Sequence, residues 1–225
     1  MSSGVIYIVA TPIGNLDDIS FRAVETLRNV DLIACEDTRH TLKLLNKYEI
    51  KNKLIPYHDH NKIKKTPVLI EKLKEGQSLA LVSDAGTPSI SDPGFYLIRE
   101  AIKNDIELSP IPGPTSLISA VVASGLEIDR FVFEGYLPRK KGRTKRLKEL
   151  AEYRVTIVIF EGPHRVIKTL NDLREYLGDR KAAIGREMTK INEEFIRGTL
   201  SELIAHYDSR KPRGEYVIVV ERNKD

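Results

Sequence analysis

Short apolar runs alternate along the chain with stretches whose apolar positions recur at three- and four-residue spacing. Runs of the first kind read as strands buried on both faces, and stretches of the second kind as helices with one apolar face. "GVIYIVA" (4–10), "VDLIACE" (30–36), "SLALVS" (78–83) and "IELSPI" (106–111) are the strands of the first half. Between them, "ISFRAVETLRNV" carries Phe21, Val24, Leu27 and Val30 at helical spacing behind Ser20 as a cap, and Asp37 or Thr38 caps "TRHTLKLLNKY". "TPVLIEKLKEG" (66–76) reads as a helix with a Thr cap, Pro at its first position and a terminating Gly. Asp92 and Pro93 predict the start of another helix through Phe95, Ile98, Ala101 and Ile102, and "TSLISAVVASG" an apolar helix after the fourth strand. Strands alternating with helices predict α/β architecture with largely parallel sheets.

After "SGLEID" the alternation restarts. "FVFEGYL" (131–137), "VTIVIF" (155–160), "KAAIGREM" (181–188), "EEFIRG" (193–198) and "GEYVIVVE" (214–221) predict five more strands, with helices over 142–153, 163–177 and 199–207. The expected organisation is two α/β domains, 1–126 and 127–225, a division that 225 residues accommodate.

Composition narrows the class. Apolar residues at 41% and charged residues at 30% are ordinary for a globular chain, which excludes a disordered or fibrous one. No apolar run reaches the roughly 20 residues of a membrane span, and "MSSGVIYIVATPIG" enters a strand without a basic leader, so a cytoplasmic location is expected. The single cysteine, Cys35, excludes an internal disulfide and lies in an apolar run, as a small buried hydrophobe would. A net charge of +4 permits a polyanionic partner without requiring one, because 32 acids offset 36 bases.

Three loops that follow strands are unusual in composition. "ATPIGNLDD" (10–18) lacks both the glycine spacing of a dinucleotide site and the lysine of a phosphate loop. "SDAGTPSISDPG" (83–94) holds two Gly, two Pro, two Asp and four Ser or Thr, and "PGPTS" (112–116) completes the set. Taken alone, the first is as well explained by a tight turn with a helix cap. Together, three such loops at the carboxyl ends of strands predict a crevice at one sheet edge, where open α/β sheets take their ligands. Glycine lets a ligand lie against backbone, proline holds a loop in shape, and Asp84 suits a cationic ligand better than a phosphate.

"VATPIGNLDDIS", "DLIACEDTRHT", "LVSDAGTPSISDPG", "PIPGPTS", "YLPRKKGR", "FEGPHR" and "REMTK" occur in this order. In these seven motifs, over nearly the whole chain, the sequence resembles the ribosomal RNA methyltransferases of the tetrapyrrole methylase superfamily. The resemblance implies two α/β domains with S-adenosylmethionine in the cleft between them, methylation of a cytidine 2′-hydroxyl in the decoding region of 16S rRNA, and a homodimer. Carried onto matching positions, it implies cofactor contacts from Pro12 and Gly14, from Asp84, Ala85, Gly86 and Thr87, and from Thr115 and Ser116.

"PRKKGRTKRLK" (138–148) carries seven Lys or Arg between Arg139 and Lys148 with one acid nearby, Glu149. Such unbalanced density favours phosphate contacts by Arg139, Lys140, Lys141, Arg143, Lys145 and Arg146, with Tyr136 placed to stack on a base. The bland alternative is a solvated helix face. "EGPHRV" (161–166) puts His164 and Arg165 in the first turn of a helix, as an anion site or as plain capping residues. "HDH" (58–60) has no further ligands to complete a metal site, so no metal is expected. No general base is evident; Glu187 and Glu36 are the acids to test, and Arg39 or Arg186 could stabilise an alkoxide. Two other readings stay open at this point: a methylase of the same fold acting on a corrin, a porphyrin or a protein, and a non-catalytic RNA-binding module.

Overall fold

The computed structural model describes residues 4–91, 94–208 and 210–223, apart from the side chain of residue 208. The chain divides into two compact units, Met1–Thr115 and Ser116–Asp225.

The first unit is a five-stranded sheet of β1 (Val5–Val9), β2 (Leu32–Cys35), β3 (Leu54–Pro56), β4 (Leu79–Val82) and β5 (Glu107–Ile111), in the order β3-β2-β4-β1-β5. All its pairings are parallel. Helices α1 (Phe21–Asn29), α2 (Thr38–Lys47), α3 (Lys62–Lys74) and α4 (Gly94–Lys103) cover it on two faces. Alternation along β2 shows how: Ile33 and Cys35 join Leu27 and Leu44 in one core, while Leu32 and Ala34 join Leu69, Leu73 and Leu97 in the other. Side chains two apart share a face, so a strand apolar throughout must be covered on both sides. Cys35 is fully buried there, and burial pushes its thiol pKa up, as befits a core residue.

Caps fall where the side chains call for them. Ser20 accepts the Ala23 N–H at 3.2 Å, and Asp37 accepts the Arg39 N–H at 2.8 Å. Three details differ from expectation. Helix α3 starts at Lys62, so Pro67 is internal and Thr66, instead of capping, donates to the Lys62 carbonyl at 2.8 Å. The strand β3 is an edge strand of three residues, too short to stand out as an apolar run. Phe21, Phe95 and Ile102 sit at apolar spacing yet are exposed, Phe21 by 94%. The start of α4 expected at Asp92 and Pro93 lies outside the described residues.

The second unit opens with α5 (Ser116–Ala123), which packs on a strand of its own sheet. That sheet comprises β6 (Phe131–Tyr136), β7 (Thr156–Glu161), β8 (Lys181–Arg186), β9 (Glu194–Thr199) and β10 (Tyr216–Val220), ordered β6-β7-β10-β8-β9. Only β6 and β7 are parallel; β10 runs antiparallel to both neighbours and β8 pairs antiparallel with β9. The parallel expectation does not extend here; for β8 and β9 the reason is a connection too short for a crossover. Helices α6 (Arg143–Ala151), α7 (Val166–Leu177) and α8 (Leu200–Asp208) complete the unit, with Leu147, Leu170 and Leu203 packed against Ile159, Ile184 and Ile218. No helix among the described residues is long and apolar enough to cross a membrane.

Candidate active site

Because β4, β1 and β5 are parallel neighbours, the loops after them leave the same sheet edge side by side. The first two are joined by a two-way backbone bridge: the Thr11 N–H donates to the Gly86 carbonyl and the Gly86 N–H to the Thr11 carbonyl, each at 2.9 Å. The Thr11 hydroxyl donates to the Ser83 carbonyl at 3.1 Å, and the Ser83 hydroxyl to the Ala85 carbonyl at 3.3 Å. The second and third loops meet where Thr87 Oγ1 lies 3.5 Å from the Pro114 carbonyl.

Glycine is required at two of these places for different reasons. Gly86 has φ +80°, a left-handed conformation that strains any residue with a Cβ. At Gly113 the limit is space, since a Cβ would come within 3.1 Å of the Ala10 Cβ. The expected cofactor residues divide by exposure. Gly14 and Ala85 are exposed, Asp84, Thr87, Thr115 and Ser116 are partly buried, and Pro12 and Gly86 are buried. Thr115 ends the first unit and Ser116 begins α5 of the second. Asp84 also acts within the protein: its Oδ1 accepts the Asp37 N–H at 3.0 Å, tying the turn after β2 to the second loop. Composition alone did not reveal that tie, because its two ends lie 47 residues apart.

The two candidate acids have unlike settings. Glu36 is exposed at the carboxyl end of β2. Glu187 follows β8 at φ +48°, where its Oε1 accepts the Lys190 ammonium at 2.9 Å and the Glu215 N–H at 3.0 Å. Burial pushes the Glu187 carboxyl up, but the Lys190 and Glu215 hydrogen bonds outweigh it and the pKa falls below the ordinary value. A Cβ on Gly214 would lie 2.4 Å from the Glu187 Cδ, so a glycine opposite is part of this arrangement. Arg186 donates to the Arg213 carbonyl at 2.8 Å and pairs with Glu194 at 3.2 Å, while Arg39 pairs with Asp37 at 2.6 Å.

The basic segment separates into two kinds of side chain. Arg143 is buried; it bonds Asp172 at 2.7 Å, Thr169 Oγ1 at 2.8 Å and the Pro138 carbonyl at 3.1 Å. Thr169 in turn donates to Glu161 at 2.6 Å, and Glu161 pairs with Arg165 at 3.1 Å. Arg146 is clasped by Glu134 at 2.5 Å and Glu149 at 2.9 Å. Glu134 sits at a register shift in β6, an irregularity of the kind that re-aims a side chain. Arg143, Arg146 and Arg165 are therefore held by bonds within the protein, the first buried and the other two partly exposed. Besides Glu149, the acids that hold them come from β6, β7 and α7, which a count along the segment does not include. Arg139, Lys140, Lys141 and Lys145 remain exposed, as does His164. Helix α7 begins at Val166, so His164 and Arg165 precede its first turn, contrary to expectation.

Residues 5–204 match the family model for Tetrapyrrole (Corrin/Porphyrin) Methylases. A protein of Synechocystis sp. named ribosomal RNA small subunit methyltransferase I is 52% identical over 96% of this chain and 78% of its own length. Proteins of the same name from Thermotoga maritima and Bacillus subtilis are 50% and 48% identical, over 98% and 75% of their lengths and 96% and 97% of this chain. In fold, the chain is similar to cobalt precorrin-4 methyltransferase, with a TM-score of 0.73 at 17% identity over 96% of this chain and 94% of that one. It is similar also to uroporphyrin-III C-methyl transferase from Thermus thermophilus complexed with S-adenyl homocysteine, with a TM-score of 0.67 at 17% identity over 96% and 97%.

Proposed function

This chain belongs to the tetrapyrrole (corrin/porphyrin) methylase family, in its ribosomal RNA small subunit methyltransferase I group, and on that premise we propose that it methylates the 2′-hydroxyl of a cytidine in the decoding region of 16S rRNA. S-adenosylmethionine, when bound, supplies the methyl group already activated by its sulfonium charge. The observation that carries the reading is the junction of three strand-end loops, joined through Thr11 and Gly86 and lined by small residues. Such a junction fits this cofactor in kind. Exposed Gly14 and Ala85 let a ligand reach the main chain, and Asp84 brings negative charge to a loop that must accept a cation.

The work left to the chain is alignment and removal of one proton. Positioning the ribose oxygen in line with the transferred carbon supplies the larger part of the acceleration. A general base adds roughly 10²- to 10⁴-fold. Of the two acids, we assign the proton to Glu36, which sits at the same edge of the sheet as the loops. Glu187, with one oxygen already accepting two hydrogen bonds and its pKa lowered, has little affinity for a proton and serves to fix the turn after β8.

Arg139, Lys140, Lys141 and Lys145 offer charge to the RNA backbone, and Tyr136, 55% exposed, offers a ring to a base. A cytoplasmic homodimer acting on 16S rRNA or the small subunit belongs to the same proposal. Transfer of labelled methyl to small subunits lacking the modification, with nucleoside analysis of the product, tests it.

A further inference from the structure

The loop after β4 faces two ways. Its early residues, Asp84 to Thr87, belong to the junction with the loops after β1 and β5. Its later residues, Ser89 and Ser91, border a separate hollow of 370 Å³ on the side of β2 and β3. That volume lies within the range of small-ligand pockets, roughly 300 to 1,000 Å³. Both serines hold positive φ, 73° and 69°, a strained conformation for a residue with a Cβ.

The opposite wall is the first turns of α4. Phe95 is 63% exposed, which leaves its ring accessible to a ligand. The Arg99 guanidinium lies 5.9 Å from the centre of that ring and 5.3 Å from the centre of Tyr96, so cation and rings form one surface. Glu36 and the Asp59–Lys62 ion pair, at 2.7 Å, close the remaining sides. An apolar partner would have to strip water from these charges. A nucleotide suits them better: its base stacks on an aromatic face, its phosphate pairs with a guanidinium, and its polar edge meets carboxylates.

We propose that this hollow receives the acceptor nucleotide, with its base on Phe95 and a phosphate on Arg99. The inference rests on the RNA-methylating function proposed above, since a methyl acceptor must lie next to the donor and this hollow shares a loop with the donor junction.

The test uses the full chain and its Phe95→Ala, Phe95→Trp and Arg99→Gln variants. Binding of unmodified small-subunit RNA is measured by filter retention without methyl donor, S-adenosylmethionine affinity by calorimetry, and KM and kcat by methyl transfer. Losing one base stack weakens RNA binding about 5- to 150-fold. Phe95→Ala is expected to show that loss in both Kd and KM with cofactor affinity unchanged, Phe95→Trp to restore it, and Arg99→Gln to weaken RNA binding and flatten its salt dependence. Methyl transfer to RNA by the parent chain, with all three variants matching it, would overturn this inference alone. No transfer to RNA by the parent chain would overturn the proposed function, and the inference with it. Unchanged RNA kinetics with an altered oligomeric mass in Phe95→Ala would give the hollow to a second copy of the chain, and so also overturn it.

Discussion

The Arg143 guanidinium, only 7% exposed, donates to the Asp172 carboxylate at 2.7 Å across 29 residues of sequence. A cation in the middle of a basic run thus ties α6 to α7 and, through the Pro138 carbonyl, anchors the loop that carries its exposed neighbours. Only the cation of this pair is buried, and removing it leaves a partly exposed Asp172 and the buried Thr169 hydroxyl short of a partner. Arg143→Ala is expected to destabilise the fold by about 1 to 3 kcal/mol. Denaturant unfolding measures this, with Lys141→Ala as the comparison expected to stay within about 0.5 kcal/mol of the parent.

The exposed cations are expected to behave in the opposite way. Replacing Lys140 and Lys141 together by Ala should leave unfolding unchanged and weaken binding to small-subunit RNA. The magnitude of the slope of log K against log salt should fall by about 0.7 to 0.9 for each phosphate that the variant no longer neutralises. An unchanged slope would remove these lysines from the interface.

At the loop junction, Gly86→Val places a branched side chain where φ is +80°. A left-handed conformation costs an L-residue roughly 1 to 2 kcal/mol, so the chain should still fold while the Thr11 bridge distorts. The expected result is a loss of S-adenosylmethionine affinity in calorimetry of at least tenfold with a modest drop in Tm. Gly125→Ala serves as a control, since Gly125 also has positive φ but lies outside the three loops.

Glu187 is expected to reveal itself through pH. A carboxyl whose folded pKa is depressed contributes stability that is fully present above the unfolded value, near 4.5, and is lost as the pH falls through the folded one. The stability difference between the parent and Glu187→Gln should therefore be largest near neutral pH and shrink below about pH 4.5. Paired unfolding curves at the two conditions check this. The same variant should keep its turnover, because the assigned proton acceptor is Glu36.

How far the sequence announced this molecule depends on the distance over which each feature acts. Ser20 and Asp37 cap helices through bonds spanning two or three residues, and the alternation along β2 is set by its own side chains, so these were legible. Thr66–Pro67 imitates a helix start, but the Thr66 hydroxyl also meets Tyr57 at 2.9 Å and the helix has already begun. The three loops could be picked out by composition, whereas the Thr11–Gly86 bridge and the Asp37–Asp84 bond follow from strand order, which no local pattern states. How many of the cations are already paired is hidden for the same reason: Glu134, Glu161 and Asp172 come from elsewhere in the second unit to hold Arg146, Arg165 and Arg143.

Methylation of a cytidine 2′-hydroxyl is read out by incubating the chain with methyl-labelled S-adenosylmethionine and small ribosomal subunits that lack the modification, then digesting the RNA to nucleosides. The expected result is label in 2′-O-methylcytidine, at one position in the decoding region. Label on a base, or none on either subunits or free 16S rRNA despite measured cofactor binding, would contradict it.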